Sequence, residues 1–184
     1  LNDQLSSGGC AAVICNTFDR SIEVYRSLKT VLVTTECLLF HARTLKKWRN
    51  EREQEILLKF GKGERQKDGT YINGYRPDRA VLVATQVVEQ SLDLDFDLII
   101  SEIAPIDLLL QRCGRLHRHR RQRPMGLENS RFIVLCDAAA TGGPPDSFGK
   151  SIESIYDRYL LILTWQALFG RESIEIPHEI EDLV

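Results

Sequence analysis

Between Pro105 and Arg123 this chain carries Arg112, Arg115, Arg118, Arg120, Arg121 and Arg123, a density of guanidinium found nowhere else in its 184 residues. A guanidinium is planar, permanently charged and presents a fork of N–H donors that matches the oxygens of a phosphate. Projected at about 100° per residue, a helix over Pro105 to Arg118 puts Gln111, Arg115 and Arg118 (i, i+4, i+7) on one face. Ile106, Leu109, Leu110, Cys113 and Leu116 fall on the other. One amide and two guanidiniums then leave an apolar-backed helix together, which suits a triphosphate whose charge shifts during transfer. An arginine in that role is worth about 10³ to 10⁵ in rate. Gly114 is a natural stopping point, and a helix ending there leaves Arg118 on a loop with the same direction. Charge alone is equally consistent with a solvated basic face or a generic nucleic-acid patch.

The elements that must position these groups follow from hydrophobic pattern. Ala11 to Cys15, Cys37 to Phe40, Val81 to Ala84, Leu98 to Ile100 and Phe132 to Cys136 are short continuous apolar runs rich in branched residues, the pattern of strands buried on both faces. Ile22, Tyr25 and Leu28 recur at helical spacing after the first run. Leu45 to Phe60 reads as a charged amphipathic helix with Trp48, Ile56 and Phe60 inward. Strands alternating with helices predict an α/β fold in three layers, a mostly parallel sheet with helices on both faces. Residues 61–78, with Gly61, Gly63, Gly69, Gly74 and Pro77, read as a surface excursion. After the turn at Thr141 to Pro145, one long helix is expected over Ile152 to Phe169. Ile176-Pro177 and the acidic tail then read as an extended exit.

A composition of 43% hydrophobic and 27% charged residues excludes a disordered or fibrous chain. No apolar run approaches the roughly 18 to 20 residues that span a bilayer, and no charged leader precedes an apolar stretch, so a cytoplasmic, membrane-free protein is expected. Cys10, Cys15, Cys37, Cys113 and Cys136 have no paired spacing for zinc and sit in or beside apolar runs, which predicts reduced thiols buried as small hydrophobes. No metal site is expected.

At Gln111-Arg112-Cys113-Gly114-Arg115-Leu116-His117-Arg118 the chain resembles the QRxGRxxR signature, motif VI, of superfamily 2 helicases. Thr85-Gln86-Val87-Val88-Glu89-Gln90-Ser91-Leu92-Asp93-Leu94-Asp95-Phe96-Asp97 resembles motif V, in the expected order. Its detailed wording is similar to the helicase-nuclease of type I CRISPR systems, in which Ser91 replaces the glycine of most of the superfamily. Asn16-Thr17 and Leu39-Phe40-His41-Ala42-Arg43 are similar to that family's motif IV region and the segment after it. Tyr156-Asp157 to Leu161 looks like the helix leading toward its C-terminal domain. The resemblance implies a RecA-like second motor domain over residues 1–145, carrying motifs IV to VI, with 146–184 forming a closing helix and the start of a linker.

It implies further that ATP with magnesium is clamped between this domain and a first RecA-like domain, which holds most of the nucleotide. Arg115 and Arg118 would contact the γ-phosphate, Gln111 would position it or the attacking water, and Asp93 would bond the ribose. Thr17, Arg43, Thr85 and Gln86 would face the backbone of single-stranded DNA, where hydroxyls and amides bind phosphate without reading sequence. Glu89 would couple the two sites. The implied partners are the DNA, the first motor and nuclease domains of the same protein, and an RNA-guided CRISPR surveillance complex in antiviral defence. Structural alternatives stay open: Thr85 ending a buried strand, Asp93 capping a turn, His117 and His119 solvated, and Arg120, Arg121 and Arg123 forming a phosphate-facing or solvated patch.

No G-x-x-x-x-G-K-S/T phosphate loop is present, and Gly61-Lys62-Gly63-Glu64-Arg65 has neither its spacing nor a preceding strand. No Asp-Glu-x-His run occurs, and His41, His117, His119 and His178 do not reproduce a His-Asp nuclease centre. The chain is therefore expected to be inactive alone as ATPase, helicase or nuclease. Two other functions fit the same residues: a motor domain from another superfamily 2 helicase or restriction or repair translocase, and a non-catalytic module binding nucleic acid or a partner protein.

Overall fold

The computed structural model describes residues 1–43, 46–65, 71–72, 75–89, 92–137, 139, 142–171, 173–176 and 178–183, with backbone alone at 46–48, 64–65, 71–72 and 181–182. Leu45, Gly69, Gly74, Gln90, Ser91, Thr141 and Pro177, and the side chain of Trp48, lie outside the described set.

β1 (Gly9–Ile14) leads through a loop into α1 (Phe18–Val31), then β2 (Glu36–Phe40) and α2 (Lys46–Phe60). A two-stranded antiparallel hairpin follows, β3 (Glu64–Arg65) with β4 (Tyr71–Ile72), inside the stretch expected to be a plain surface excursion. β5 (Arg79–Ala84), β6 (Leu98–Glu102), α3 (Ile106–Cys113) and β7 (Arg131–Leu135) complete the sheet. Its order is β2-β5-β1-β6-β7, and every pairing among these strands is parallel. β1 is buried at all positions, as its unbroken apolar run demands.

Alternation along β1 builds the two interior layers. Cys10, Ala12 and Ile14 face Ile56 and Phe60 of α2, while Ala11, Val13 and Cys15 face Val24, Tyr25 and Leu28 of α1. The chain is therefore α/β in three layers, with helices on both faces. Among the described residues, the connection from β5 to β6 has no α-helix. A single 3₁₀ turn at Gln86–Val88 is followed by chain that buries Leu94 and Phe96 in the α2 layer. Asp95 N donates to Phe60 O at 2.8 Å and fixes that stretch on the end of α2.

The long C-terminal helix expected over Ile152 to Phe169 is two helices, α4 (Lys150–Glu153) and α5 (Arg158–Leu168), before a last short α6 (Ile180–Leu183). Asp157 breaks it: its backbone is extended (φ −60°, ψ 130°) and its carboxylate caps α5 by accepting from Tyr159 N. Leu161, Ile162 and Trp165 of α5 pack with Ile103, Val134 and Phe148 in a third apolar cluster. No helix among the described residues is long and apolar enough to cross a membrane.

Candidate functional site

α3 begins after β6 and buries Leu109 and Arg112. It is shorter than the projection predicts. Gly114 closes it, and two tight turns follow, Arg115 N to Arg112 O at 3.0 Å and Leu116 N to Cys113 O at 2.9 Å. The chain then leaves helical geometry because its backbone is taken by Phe96. Phe96 N donates to Arg115 O at 2.9 Å and His117 N donates to Phe96 O at 3.0 Å, with His117 at φ +48°. Arg115 and Arg118 are thus held by pairing with the segment that carries Asp93, and Gln111 stays exposed on the helix itself.

That pairing brings Glu89, Asp93, Arg115 and Arg118 together. Arg118 donates from Nε to Asp93 Oδ1 at 2.5 Å and from Nη1 to Gly114 O at 3.1 Å, in an exposed setting. Burial works to raise the Asp93 carboxyl, but the Arg118 hydrogen bond and the charges of His119, Arg118 and Lys62 outweigh it and hold the group below its usual range. Arg115 is half-buried: Nη2 reaches Glu89 O at 3.3 Å, and Nε is buried with no hydrogen-bond partner. Burial first, then the charge of Arg118, depress its pKa, with Asp93 opposing them. A desolvated cation with an unmet N–H is a group that an anion would satisfy.

The residues expected along DNA gather at the carboxyl ends of β1, β2 and β5, where ligands of parallel sheets bind. Thr17 caps α1, its hydroxyl accepting from Arg20 N at 3.2 Å. The Arg43 guanidinium lies 4.8 Å from the Phe18 ring centre, and that ring meets His41 edge-on at 4.6 Å. Thr85 is buried where β5 ends and donates its backbone N–H to Phe40 O at 3.1 Å. Gln86 Nε2 points inward, to Asn16 O at 2.8 Å and the Tyr156 hydroxyl at 3.2 Å.

Arg112 is the residue that sequence reasoning missed. It is wholly buried, and Nε donates to Glu89 Oε1 at 2.7 Å. Nη1 donates to Ser101 Oγ at 2.8 Å and Glu102 O at 3.2 Å, and Nη2 to Asn16 Oδ1 and the Tyr156 hydroxyl, each at 3.3 Å. Its spacing gave the signal, because Leu109, Arg112 and Leu116 (i, i+3, i+7) share the apolar stripe.

Arg121 and Arg123 do not form the patch expected of them; Arg120 alone of the three is exposed. Arg123 Nη1 donates to Asp97 Oδ1 at 2.7 Å and Asp95 Oδ2 at 3.0 Å, and Nη2 to Asp95 Oδ1 at 2.9 Å. Arg121 Nε lies 2.8 Å from Asp95 Oδ2, a charge contact outside hydrogen-bond alignment. Arg76 Nη2 and Cys10 N complete Asp97 at 2.9 and 2.7 Å. Two fully buried carboxylates demand compensating charge, which is why these arginines turn inward. A cavity of about 520 Å³ opens beside them at the amino ends of the strands; its arginines are ion-paired with Asp95 and Asp97, although Arg121 Nε and Nη1 are buried without a hydrogen-bond partner. His117 and His119 are half-buried rather than solvated, His119 N donating to Asp95 Oδ1 at 3.1 Å. Cys10 and Cys15 are buried and pushed up to about 12 by desolvation, while Cys136 is exposed, contrary to a uniformly buried set. Among the described residues no group of three or more His, Cys, Asp and Glu could hold a metal ion.

The family described as CRISPR-associated nuclease/helicase Cas3, C-terminal, matches residues 7–121. The chain is 45% identical over 153 residues to the CRISPR-associated endonuclease/helicase Cas3 of Thermus thermophilus, covering 82% of this chain and 15% of that protein. The crystal structure of T. fusca Cas3-AMPPNP shares its fold with a TM-score of 0.87 at 39% identity, over 100% of this chain and 20% of that one. A chain in a structure described as a CRISPR RNA-guided surveillance complex, pre-nicking, matches with a TM-score of 0.75 at 37% identity, over 94% of this chain and 20% of that one. The chain thus spans about a fifth or less of these proteins. With a family match over more than half its length, and relatives and folds that agree with it, this chain belongs to the Cas3 C-terminal family of CRISPR-associated nuclease/helicases.

Proposed function

We propose that this domain supplies the arginine wall of an ATP site and part of the DNA track in an ATP-dependent single-stranded DNA translocase acting in CRISPR interference. The observation that carries the reading is Arg115: half-buried, charged, beside Arg118, with an unmet Nε. A γ-phosphate meets that need. Arg115 and Arg118 would neutralise charge gathering on its oxygens during transfer. Gln111, exposed one turn earlier, would orient the phosphate or the attacking water. Arg118 and Asp93 hold each other, so a phosphate that draws Arg118 away releases the Asp93 carboxylate for the ribose. Magnesium would be held by acidic groups of the first motor domain.

Glu89 suits a coupling role because its carbonyl holds Arg115 while its carboxylate holds Arg112. On the DNA side, a hydroxyl that accepts one bond can still donate to phosphate, so the capping duty of Thr17 is compatible with DNA contact. Gln86 has its amide nitrogen committed inward, so its carbonyl would meet a phosphate only through water. Thr85 and Arg43 complete the track. Similar solved structures, one described with AMPPNP and another as a surveillance complex, support nucleotide binding and recruitment to such a complex in the full protein. Free cysteines fit a reducing, cytoplasmic setting.

In the full-length protein, Arg115→Ala and Arg118→Ala should each lower ATP turnover about 10³-fold or more while DNA affinity stays within a few-fold. The 184-residue chain in the same assay should show no DNA-stimulated hydrolysis. Loss of DNA binding with turnover preserved would instead favour a binding module.

A further inference from the structure

We propose that Tyr156 is a positioning residue, whose hydroxyl locks the DNA-side loops to the arginine helix and makes ATP turnover responsive to DNA. This rests on the function proposed above and adds to it a residue from outside the helicase motifs.

Tyr156 lies between α4 and α5, and its hydroxyl receives two donors, Gln86 Nε2 at 3.2 Å and Arg112 Nη2 at 3.3 Å. Both donors also bond Asn16, Gln86 to its backbone oxygen at 2.8 Å and Arg112 to Oδ1 at 3.3 Å. The four residues close a ring. Asn16 leads into the Thr17 cap and Gln86 follows Thr85, so two corners sit beside the DNA-facing positions. The third corner, Arg112, is fastened to Glu89, whose carbonyl holds Arg115. A displacement of either DNA-side loop therefore pulls on a wholly buried arginine next to the catalytic one. Arg112 cannot yield independently, because each of its nitrogens already has a partner in low-dielectric surroundings.

Tyr156 gives the ring its stiffness. Its aromatic ring packs against the cluster of Ile103, Phe148 and Leu161, and its backbone N–H is bonded to Ile152 O at 2.9 Å. The hydroxyl is thereby held by an apolar cluster, which Asn16 also touches by donating from Nδ2 to Ile103 O at 2.7 Å. Phenylalanine would keep that packing and remove only the acceptor, leaving Gln86 and Arg112 each short of one partner.

The test uses the full-length protein with single-stranded DNA, reading basal turnover, DNA-stimulated turnover, DNA affinity and melting temperature. Tyr156→Phe should reduce the stimulation factor about 5- to 150-fold, the range of ordinary intersite coupling, with basal turnover and DNA affinity within about twofold. Ile152→Ala, which thins the same cluster without touching the hydroxyl, should lower the melting temperature and leave the stimulation factor unchanged. A normal stimulation factor in Tyr156→Phe overturns the proposal. Equal loss of stimulation in Ile152→Ala also overturns it, because the role is then merely structural. Full turnover in Arg115→Ala would overturn the underlying reading instead, which keeps the two failures distinguishable.

Discussion

Arg112 and Arg118 stand six positions apart with the same charge, and their surroundings give them opposite work. Arg112 is enclosed, and its removal strands the carboxylate of Glu89, itself only 9% exposed. Breaking one partner of a buried pair costs about 3 to 5 kcal/mol. The Arg118–Asp93 pair is 42% and 48% exposed, and exposed pairs contribute about 0 to 1 kcal/mol. In urea unfolding of the 184-residue chain, Arg112→Ala should therefore lower the midpoint strongly and Arg118→Ala hardly at all; equal shifts would contradict the division. The sequence displayed the arginines at 115 and 118 through their spacing. It concealed Arg112, because a charge on an apolar stripe declares only that some partner exists. Glu89, Asn16, Ser101 and Tyr156 come from four distant segments, and only tertiary folding brings them to it.

At the scale of elements, the five strands of the parallel sheet were legible within one or two residues as short runs of branched apolar residues, whereas the two-residue strands β3 and β4 carry no such run. Helix ends were less legible. The spacing of Ile152, Ile155, Tyr159 and Ile162 continues across Asp157, so periodicity alone passes over the cap that divides α4 from α5. Likewise the i, i+4, i+7 helical face of Gln111, Arg115 and Arg118 ends at Gly114, since hydrogen bonds to Phe96 take over after it. That glycine needs no special freedom: its backbone is right-handed (φ −62°, ψ 0°), and an added Cβ would come no closer than 3.4 Å to Gln111 O. Gly114→Ala should consequently leave stability within about 0.5 kcal/mol. Gly61, at the end of α2, is the opposite case, where a Cβ would lie 2.4 Å from the Leu57 carbonyl oxygen. Gly61→Ala must shift residue 61 off the end of α2 and so disturb its bridge to Leu94, and should cost roughly 1 to 3 kcal/mol, the range for overpacking. Thermal melts of the two variants test the contrast, and a Gly61→Ala melt matching the parent would disprove it.

Across the whole molecule, the segments 93–97 and 118–123 come from opposite sides of β6 and α3 in sequence and meet at Asp93, Asp95 and Asp97. The stretch from Asp93 to Asp97 pairs with Arg118 at one end and with Arg121 and Arg123 at the other, so one short segment is pinned by arginines along its length. That clamp carries a pH dependence whose sign can be worked out. Burial acts to raise the Asp97 carboxyl, but Arg76, the Arg123 hydrogen bond and the Cys10 N–H prevail and keep it below its ordinary value of 3.8. A carboxylate depressed in the folded state stabilises fully above its unfolded value, and that contribution drains away as pH falls through the folded value. Asp97→Asn keeps the shape and removes the charge facing Arg76 and Arg123, so at neutral pH it should lower stability by about 3 to 5 kcal/mol. The gap between parent and variant should stay constant above about pH 5 and narrow steadily below about pH 4. Melting temperatures of both proteins between about pH 7 and pH 3 read the gap directly. Curves that stay parallel to the acid end would mean that the clamp is not what acid undoes.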